Sequence, residues 1–506
     1  EVCAIDNSVR TAWLDSQRGF FNGTSLCLRV HGQEAQPHQL QLNPVKGQAD
    51  WQAATGLTPI KTDKKGFGLY QAADYDELVD CPVEMGTFWS GQFVACGIPH
   101  RFVVAGALPS FDGSRLLADT QKICEAEIRF WHGAGKQAGS KAPHKNYLFM
   151  LNAVHDGYGG LEHRNSTALI CNRADLPRQT NQHASQHTNE GYTTLLGLIS
   201  HEYFHTWNVK QLRPDAFARY DYTQENHTQL LWFFEGFTSY YDDLLLRRAG
   251  LIDDATYLKL LGKTIAQVQQ TPGRHVQTVA QASFDAWVKY YRQDENTPNA
   301  TVSYYTKGSL VALCLDLALR KEGHTLDAVM RGLWKRCKAG PMREQDLLDE
   351  LHARTGRSWQ PEIQTWVHST ADLPLRDLLS GQSIEVSAEI ATMAQRLGLR
   401  VSEAGGNVHI KCVLRGSAAE AAGMAAGDEW LGLDVGETPA ARAQGGSWRL
   451  NKLDDLPALL GREHQLVALV SRDKRLLRLH LKVPAQASSW KLAMPAQRKA
   501  GQWPAV

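Results

Sequence analysis

The 506-residue sequence lacks any run of about 18 apolar residues, so no segment reads as a membrane-spanning helix. Neither sign of charge is in excess: 54 Lys and Arg stand against 53 Asp and Glu, a formal charge of +1. That balance excludes nucleic acid as the main partner, because phosphate binding needs a clear basic surplus. There is no GxSxG elbow, no P-loop spacing and no CxxC pair. Those absences remove serine-hydrolase, nucleotide-hydrolase and zinc-ribbon or thioredoxin-like readings. The nine cysteines are odd in number and widely scattered, as expected of buried small residues in a reducing compartment, and the cytoplasm is the expected location. The opening EVCAIDNSVRTAW shows no signal-peptide pattern and no initiator methionine. It reads as starting inside a domain, which keeps the periplasm as the alternative.

What is present is ordinary globular composition, 43% hydrophobic and 21% charged, in a length that suits about three domains. Residues 1–102 read as short β-type runs broken by turn chemistry, such as Gly66-Phe67-Gly68-Leu69-Tyr70, and predict an antiparallel β domain. Residues 103–380 turn helical, with a pattern from Leu116 to Trp131, a polar loop at 133–140 and a buried strand at 146–152. Residues 385–484, rich in Gly, Ala and β-branched side chains, predict a separate small β-rich module. The polar tail 485–506 is expected to be loosely held. The fold class is therefore multidomain α+β.

The strongest chemical signal is His201-Glu202-Tyr203-Phe204-His205, preceded by the apolar Leu195-Leu196-Gly197-Leu198-Ile199. Four residues along a helix rise about 6 Å and turn slightly more than once. Both imidazoles then project from one face and can share a metal ion. Glu202 stands one residue from the first ligand, where a carboxylate can activate water. A hydrolytic zinc usually takes a third protein ligand. Glu235 lies in Leu230-Leu231-Trp232-Phe233-Phe234-Glu235-Gly236-Phe237, apolar almost all round, where an ionised carboxylate is expensive unless it meets a cation. Glu225, in the polar run 222–227, is the rival third ligand.

The stretches HEYFHTWNVKQLRP and LWFFEGFTSYYDDLLLRRAGL resemble the PDZ-containing glycyl aminopeptidases, zinc metallopeptidases of the gluzincin group. The resemblance runs from Asn7 through the C-terminal module. It implies an N-terminal β domain, a thermolysin-like catalytic domain with a helical part, and a C-terminal PDZ-like domain. It further implies one Zn2+ per chain on His201, His205 and Glu235, with Glu202 as catalytic base. Gly159-Gly160-Leu161-Glu162 sits where related aminopeptidases carry the strand whose Glu binds the substrate's free amine. Tyr305-Thr306-Lys307-Gly308 is similar to the segment whose tyrosine donates to the oxyanion, and the neighbouring Tyr304 is its competitor. Leu397-Gly398-Leu399 matches a PDZ carboxylate-binding loop, which implies a C-terminal peptide ligand. The expected activity is removal of small N-terminal residues, Gly or Ala, from peptides with a free N-terminus. A zinc endopeptidase and a catalytically inactive PDZ peptide-binding scaffold are the alternatives.

Overall fold

The computed structural model describes residues 2–135, 138–179, 189–435, 446–485, 488–495 and 503–504. The chain divides into two compact units. One comprises Glu1–Ala218, Tyr240–Asp253 and Asp327–Glu350; the other comprises Arg219–Ser239, Asp254–Leu326 and Leu351–Val506. The architecture is multidomain α+β, with an N-terminal β region followed by a helical one.

In the first unit, the N-terminal region is antiparallel throughout. Ala12–Leu14, Arg18–Phe21, Val83–Gly86 and Gln52–Thr55 form one sheet in that order; His38–Leu42, Gly68–Ala72 and Thr58–Thr62 form another. Trp51, Phe67, Tyr70 and Val83 fill the core of this region. A five-stranded sheet follows, ordered Gly159–Glu162, Ser166–Asn172, Tyr147–Val154, Ile98–Ala105 and Trp89–Ala95. Tyr147–Val154 runs parallel to both neighbours, which is why its sequence is apolar but for Asn152, whereas Gly159–Glu162 is an antiparallel edge. The sequence pattern sets its first limit at Phe102, but Trp89–Ala95 and Ile98–Ala105 hydrogen-bond into this second sheet. Alternation within a strand does not reveal which sheet the strand joins, hence the difference.

Helix Glu190–Phe204 packs on the edge strand Gly159–Glu162 and on helix Gly113–His132. It starts where the Asn189 side chain accepts from the Tyr192 amide at 2.6 Å, satisfying one of the donors a helix start leaves open.

In the second unit, helix Tyr304–Lys321 is capped by Ser303, whose hydroxyl accepts from the Thr306 amide. It crosses the first half of helix Leu231–Arg248 at two glycines. A Cβ on Gly236 would lie 2.5 Å from the Gly308 backbone, and one on Gly308 would lie 2.5 Å from the Trp232 carbonyl. Leu399–Ala404, Asn407–Val413, Glu429–Val435, Gln465–Arg472 and Arg475–Lys482 form one sheet in that order, with Ser447–Arg449 also paired to Glu429–Val435, around a core of Trp430, Leu397, Leu433 and Leu456. The described parts of the tail depart from expectation. Ser488–Ala493 pairs with Glu385–Ile390 as a two-stranded ribbon against helix Asp254–Gln269, and Trp503 is fully buried with its ring near Tyr257. Polar composition hid the apolar Trp490, Leu492 and Trp503 that anchor these parts; 486–487, 496–502 and 505–506 of the tail lie outside the described residues.

Among the described residues no helix is long and apolar enough to cross a membrane, and all nine cysteines are free thiols.

Candidate metal centre

Helix Glu190–Phe204 ends at Phe204, and His205 closes it as the C-cap. The Nδ1–H of His201 donates to Asp242 Oδ2 at 3.1 Å, and the Nδ1–H of His205 donates to the Asn208 carbonyl at 2.8 Å. These bonds fix both tautomers, so each ring presents the lone pair of Nε2. The two Nε2 atoms are 3.1 Å apart. Two nitrogens bound at about 2.0–2.1 Å to one tetrahedral zinc would stand about 3.3 Å apart, so the pair fits a shared ion. Glu235 adds a carboxylate oxygen, and all three ligand atoms lie within 4.8 Å of one another. Glu225 is exposed and outside this group.

The surroundings hold the ligands still. Burial raises the Asp242 carboxyl, and the hydrogen bond and charge of His201 pull it back. Ser200, one residue before the first ligand, places its hydroxyl 3.1 Å from Glu127 Oε1 and 3.0 Å from the Asp242 carbonyl. Burial pushes Glu127 well above the usual carboxylate range. The turn that supplies the Asn208 carbonyl continues into Val209 at φ +152°, a conformation a β-branched residue rarely adopts.

Glu202 is buried, 4% exposed, and the edge strand is pressed against it. A Cβ on Gly160 would come within 2.1 Å of Glu202 Oε1, so a larger residue there would push the Glu202 carboxylate from its place. Gly159, at φ +154°, sits in a conformation that favours glycine for a different reason. Glu162 ends the same strand and is half-buried. The next two residues anchor the strand end. His163 Nδ1 lies 3.0 Å from Asp80, and Arg164 donates to Asp80 at 2.9 Å and to Asp76 at 2.6 Å. Lys210 joins them at 2.8 Å. Burial alone would raise Asp80, but Lys210, His163 and Arg164 hold it far below the usual carboxylate range.

Of the two tyrosines, Tyr304 is fully buried, while Tyr305 is half-buried and lines a cavity. Burial, with Glu235 and Tyr291 nearby, holds the Tyr305 phenol well above its ordinary value, so it remains a hydrogen-bond donor. Its hydroxyl is 3.4 Å from that of Tyr291. Leu397-Gly398-Leu399 lies at the end of helix Met393–Leu397, where Gly398 takes φ +71° and leads into an edge strand. A Cβ there would meet the Ser417 side chain at 2.2 Å.

Asp242, the Asn208 carbonyl, Tyr291 and the Asp80 cluster escaped the sequence reading. Asp242 had a usable signal: it follows Glu235 by seven residues, two turns along the same helix face. A backbone carbonyl carries none.

Residues 194–311 match the M61 glycyl aminopeptidase family, and residues 1–87 match the peptidase M61 N-terminal domain. The chain is similar to the crystal structure of an aminopeptidase N family protein from Idiomarina loihiensis, with 35% sequence identity over 97% of this chain and 83% of that chain and a TM-score of 0.88. A more distant likeness is the M1 zinc metallopeptidase from Deinococcus radiodurans, 14% identical over 74% of this chain and 75% of that chain, with a TM-score of 0.47. No curated protein matches the chain.

Proposed function

The chain belongs to the M61 glycyl aminopeptidase family and is a metallo-aminopeptidase, and from that premise we propose that it is a zinc enzyme removing Gly or Ala from peptides with a free N-terminus. The observation that carries the zinc reading is the pair of Nε2 atoms 3.1 Å apart with the Glu235 carboxylate beside them. His201, His205 and Glu235 are the ligands of one ion in this reading. When bound, zinc supplies Lewis acidity for the scissile carbonyl and lowers the pKa of the attacking water.

The chain's own groups do the rest. Glu202 accepts the proton of the attacking water and then returns it to the leaving amine. Its burial and the pressed backbone of Gly160 keep that carboxylate in one place. The Tyr305 hydroxyl donates to the oxyanion as it forms, a role suited to a phenol that stays protonated. Glu162 pairs with the substrate's ammonium, and the glycines at 159 and 160 let the edge strand approach the peptide backbone. We assign residues 385–484 as a PDZ-like domain in which the 397–399 loop receives a peptide C-terminus. Nine free thiols favour a reducing compartment, the cytoplasm.

The test compares Gly-Ala-Phe with its N-acetyl form in native and Glu162→Ala protein, alongside Gly-, Ala- and Leu-anilides and zinc content. The native enzyme should bind one zinc, prefer the Gly- and Ala-anilides, and spare the acetylated peptide. Glu162→Ala should cost on the order of 2–5 kcal/mol in kcat/KM, because the ammonium is left unpaired in a water-poor cleft. Equal cleavage of free and acetylated peptides overturns the role of Glu162 and favours an endopeptidase. A preference for the Leu-anilide overturns the small-residue reading.

A further inference from the structure

Arg475–Lys482 is the last strand of the module's sheet, and among the described residues no strand pairs with its outer side. Asp473 and Lys474, at φ +48° and +63°, make the two-residue type I′ turn that joins it to Gln465–Arg472. In such a hairpin the residues flanking the turn exchange both backbone hydrogen bonds, and bonded and unbonded pairs then alternate. The Val483 amide donates to the His464 carbonyl at 2.8 Å, further along and in the same phase. Residues 475, 477, 479 and 481 therefore bond inward. Leu476, Arg478, His480 and Lys482 turn their N–H and C=O groups to the open edge. The pairing has no bulge and the strand no proline, two devices that blunt an edge.

The same four residues share the face away from the core, because successive side chains alternate. Leu477, Leu479 and Leu481 pack on the core side, whereas Leu476, Arg478, His480 and Lys482 are exposed. Their neighbours across the hairpin are Ser471, Leu469, Val467 and Gln465, none of them charged. Glu463 and Asp473 lie outside the paired span, one beyond each end. Glu420, on the adjoining helix Ala418–Ala421, is engaged by the Gly416 amide at 2.6 Å. Among the described residues no ion pair holds Arg475, Arg478 or Lys482. At the Lys482 end a cavity of about 550 Å3 opens between Ala418, Ala421 and Ala422 on one side and His464, His480 and Lys482 on the other. That volume is in the range of a ligand site.

We propose that this edge binds an acidic extended segment of another protein as an added antiparallel strand. The remaining pairs of the sheet are antiparallel, and that pattern is the more stable per residue. Main-chain bonds to the outward groups of 476–482 supply affinity, and alternate side chains supply specificity. Acids at every second position meet Arg478, His480 and Lys482, and apolar residues between them lie beside Leu477 and Leu479. Opposite charges directly across two strands attract and like charges repel. The same edge of a second copy is therefore disfavoured, and an acidic strand is selected. The 397–399 loop leads into Leu399–Ala404, the other edge of the sheet, so the two sites are separate. The inference stands whether or not the zinc aminopeptidase reading holds.

The experiment titrates the full chain with a fluorescein-labelled Glu-Val-Asp-Val-Glu-Val-Asp amide and follows anisotropy. The amide cap removes the carboxylate that the 397–399 loop would read. The native protein should bind this peptide, should ignore its counterpart with Lys for every acid, and should bind less tightly in added salt. In an antiparallel addition the acidic residues carry the N–H groups that meet the module. N-methylation at the acids should abolish binding, and N-methylation at the valines should be tolerated. Arg478→Glu with Lys482→Glu should weaken the acidic peptide at least about tenfold and admit the Lys peptide. Both positions are exposed, and an unchanged thermal midpoint checks that the variant folds. No binding of the acidic peptide up to about 1 mM overturns the proposal and leaves the cations as a guard against edge pairing. Equal binding of the two methylated peptides, or of the acidic peptide by native and charge-reversed protein, overturns it as well.

Discussion

The interior around helix Glu190–Phe204 and the interior of the C-terminal module are built to opposite rules. Around the helix, Glu127, Ser200, Glu202, His205 and Asn208 are all buried, together with His100 and His144. Among the described residues of 385–484, Asp428 is the one buried polar side chain, and the core there is aliphatic around Trp430. Burying polar groups costs stability unless each finds a partner. In the function proposed above, the first region spends that cost on fixing the metal ligands and the base. The module shows what the same chain does when it needs only a stable shape. Substitutions in the first region should strike chemistry, and substitutions in the second should strike stability.

The sharpest break in that comparison is His205→Ala. Removing one of two imidazoles that meet at 3.1 Å should abolish zinc retention and activity together, while the fold outside the site survives. Zinc analysis and Gly-anilide turnover on the purified variant check it. Stoichiometric zinc with unchanged affinity would remove His205 from the ligand set.

Glu202→Gln should separate binding from catalysis within the same region. The amide keeps the shape beside Gly160 but cannot accept a proton, so zinc should stay while kcat falls at least about 100-fold. Loss of the metal instead would make Glu202 a ligand and displace Glu235.

The two regions also differed in how much could be read from sequence. That His201, His205 and Glu235 come together was legible, the histidines from i,i+4 spacing on one helix face and Glu235 from a carboxylate set inside an apolar helix. The tertiary partners were less so. Asp242 sits on the same helix as Glu235, yet nothing local says that it turns toward His201. The Asn208 carbonyl is backbone and has no residue signature at all. In the fold, alternation identified strands but not their sheet, so the limit at Phe102 fell inside the strand Ile98–Ala105. Within 485–506, the strand Ser488–Ala493 and the buried Trp503 were missed because a few apolar residues in polar company are enough to anchor a ribbon.

Acid should find the difference between the two interiors. His100 and His144 both place Nε2 at hydrogen-bond distance from the Tyr203 hydroxyl, 2.9 and 3.0 Å. Burial lowers them to about 4 and about 3. A histidine with a folded pKa below its unfolded value, about 6.5, contributes stability above that value and loses it as pH falls toward the folded pKa. At about 1.4 kcal/mol per pH unit for each ring, the first unit should lose roughly 2–4 kcal/mol between pH 6.5 and pH 5. The buried histidines among the described residues, His100, His144, His163 and His205, all lie in that unit, and none lies in the module. Hydrogen exchange at pH 7 and pH 5 should show amides of the Tyr147–Val154 strand losing protection ahead of those of Gln465–Arg472. The reverse order would show that the imidazoles do not set the acid limit.

The smallest effect on activity is expected at the module's buried ion pair. Arg472 donates to both oxygens of Asp428 at 2.7 and 2.8 Å and to the Gly423 carbonyl at 2.7 Å. Asp428 is fully buried and also accepts from the Ala425 amide at 2.9 Å, so it keeps one partner if the guanidinium is removed. Arg472 is partly exposed, and solvent can replace some of what it gives. Arg472→Ala should therefore cost about 1–3 kcal/mol of module stability, below the penalty for a fully stranded buried charge. Zinc content should stay at the native level, and Gly-anilide turnover should change by less than about twofold, because no part of this pair meets metal, base or oxyanion donor. A denaturant midpoint followed by tryptophan fluorescence reads the first effect, with Trp430 buried in the module core. A tenfold loss of turnover under conditions where the module remains folded would mean that its interior is coupled to the chemistry, and the division between the two kinds of interior would fail.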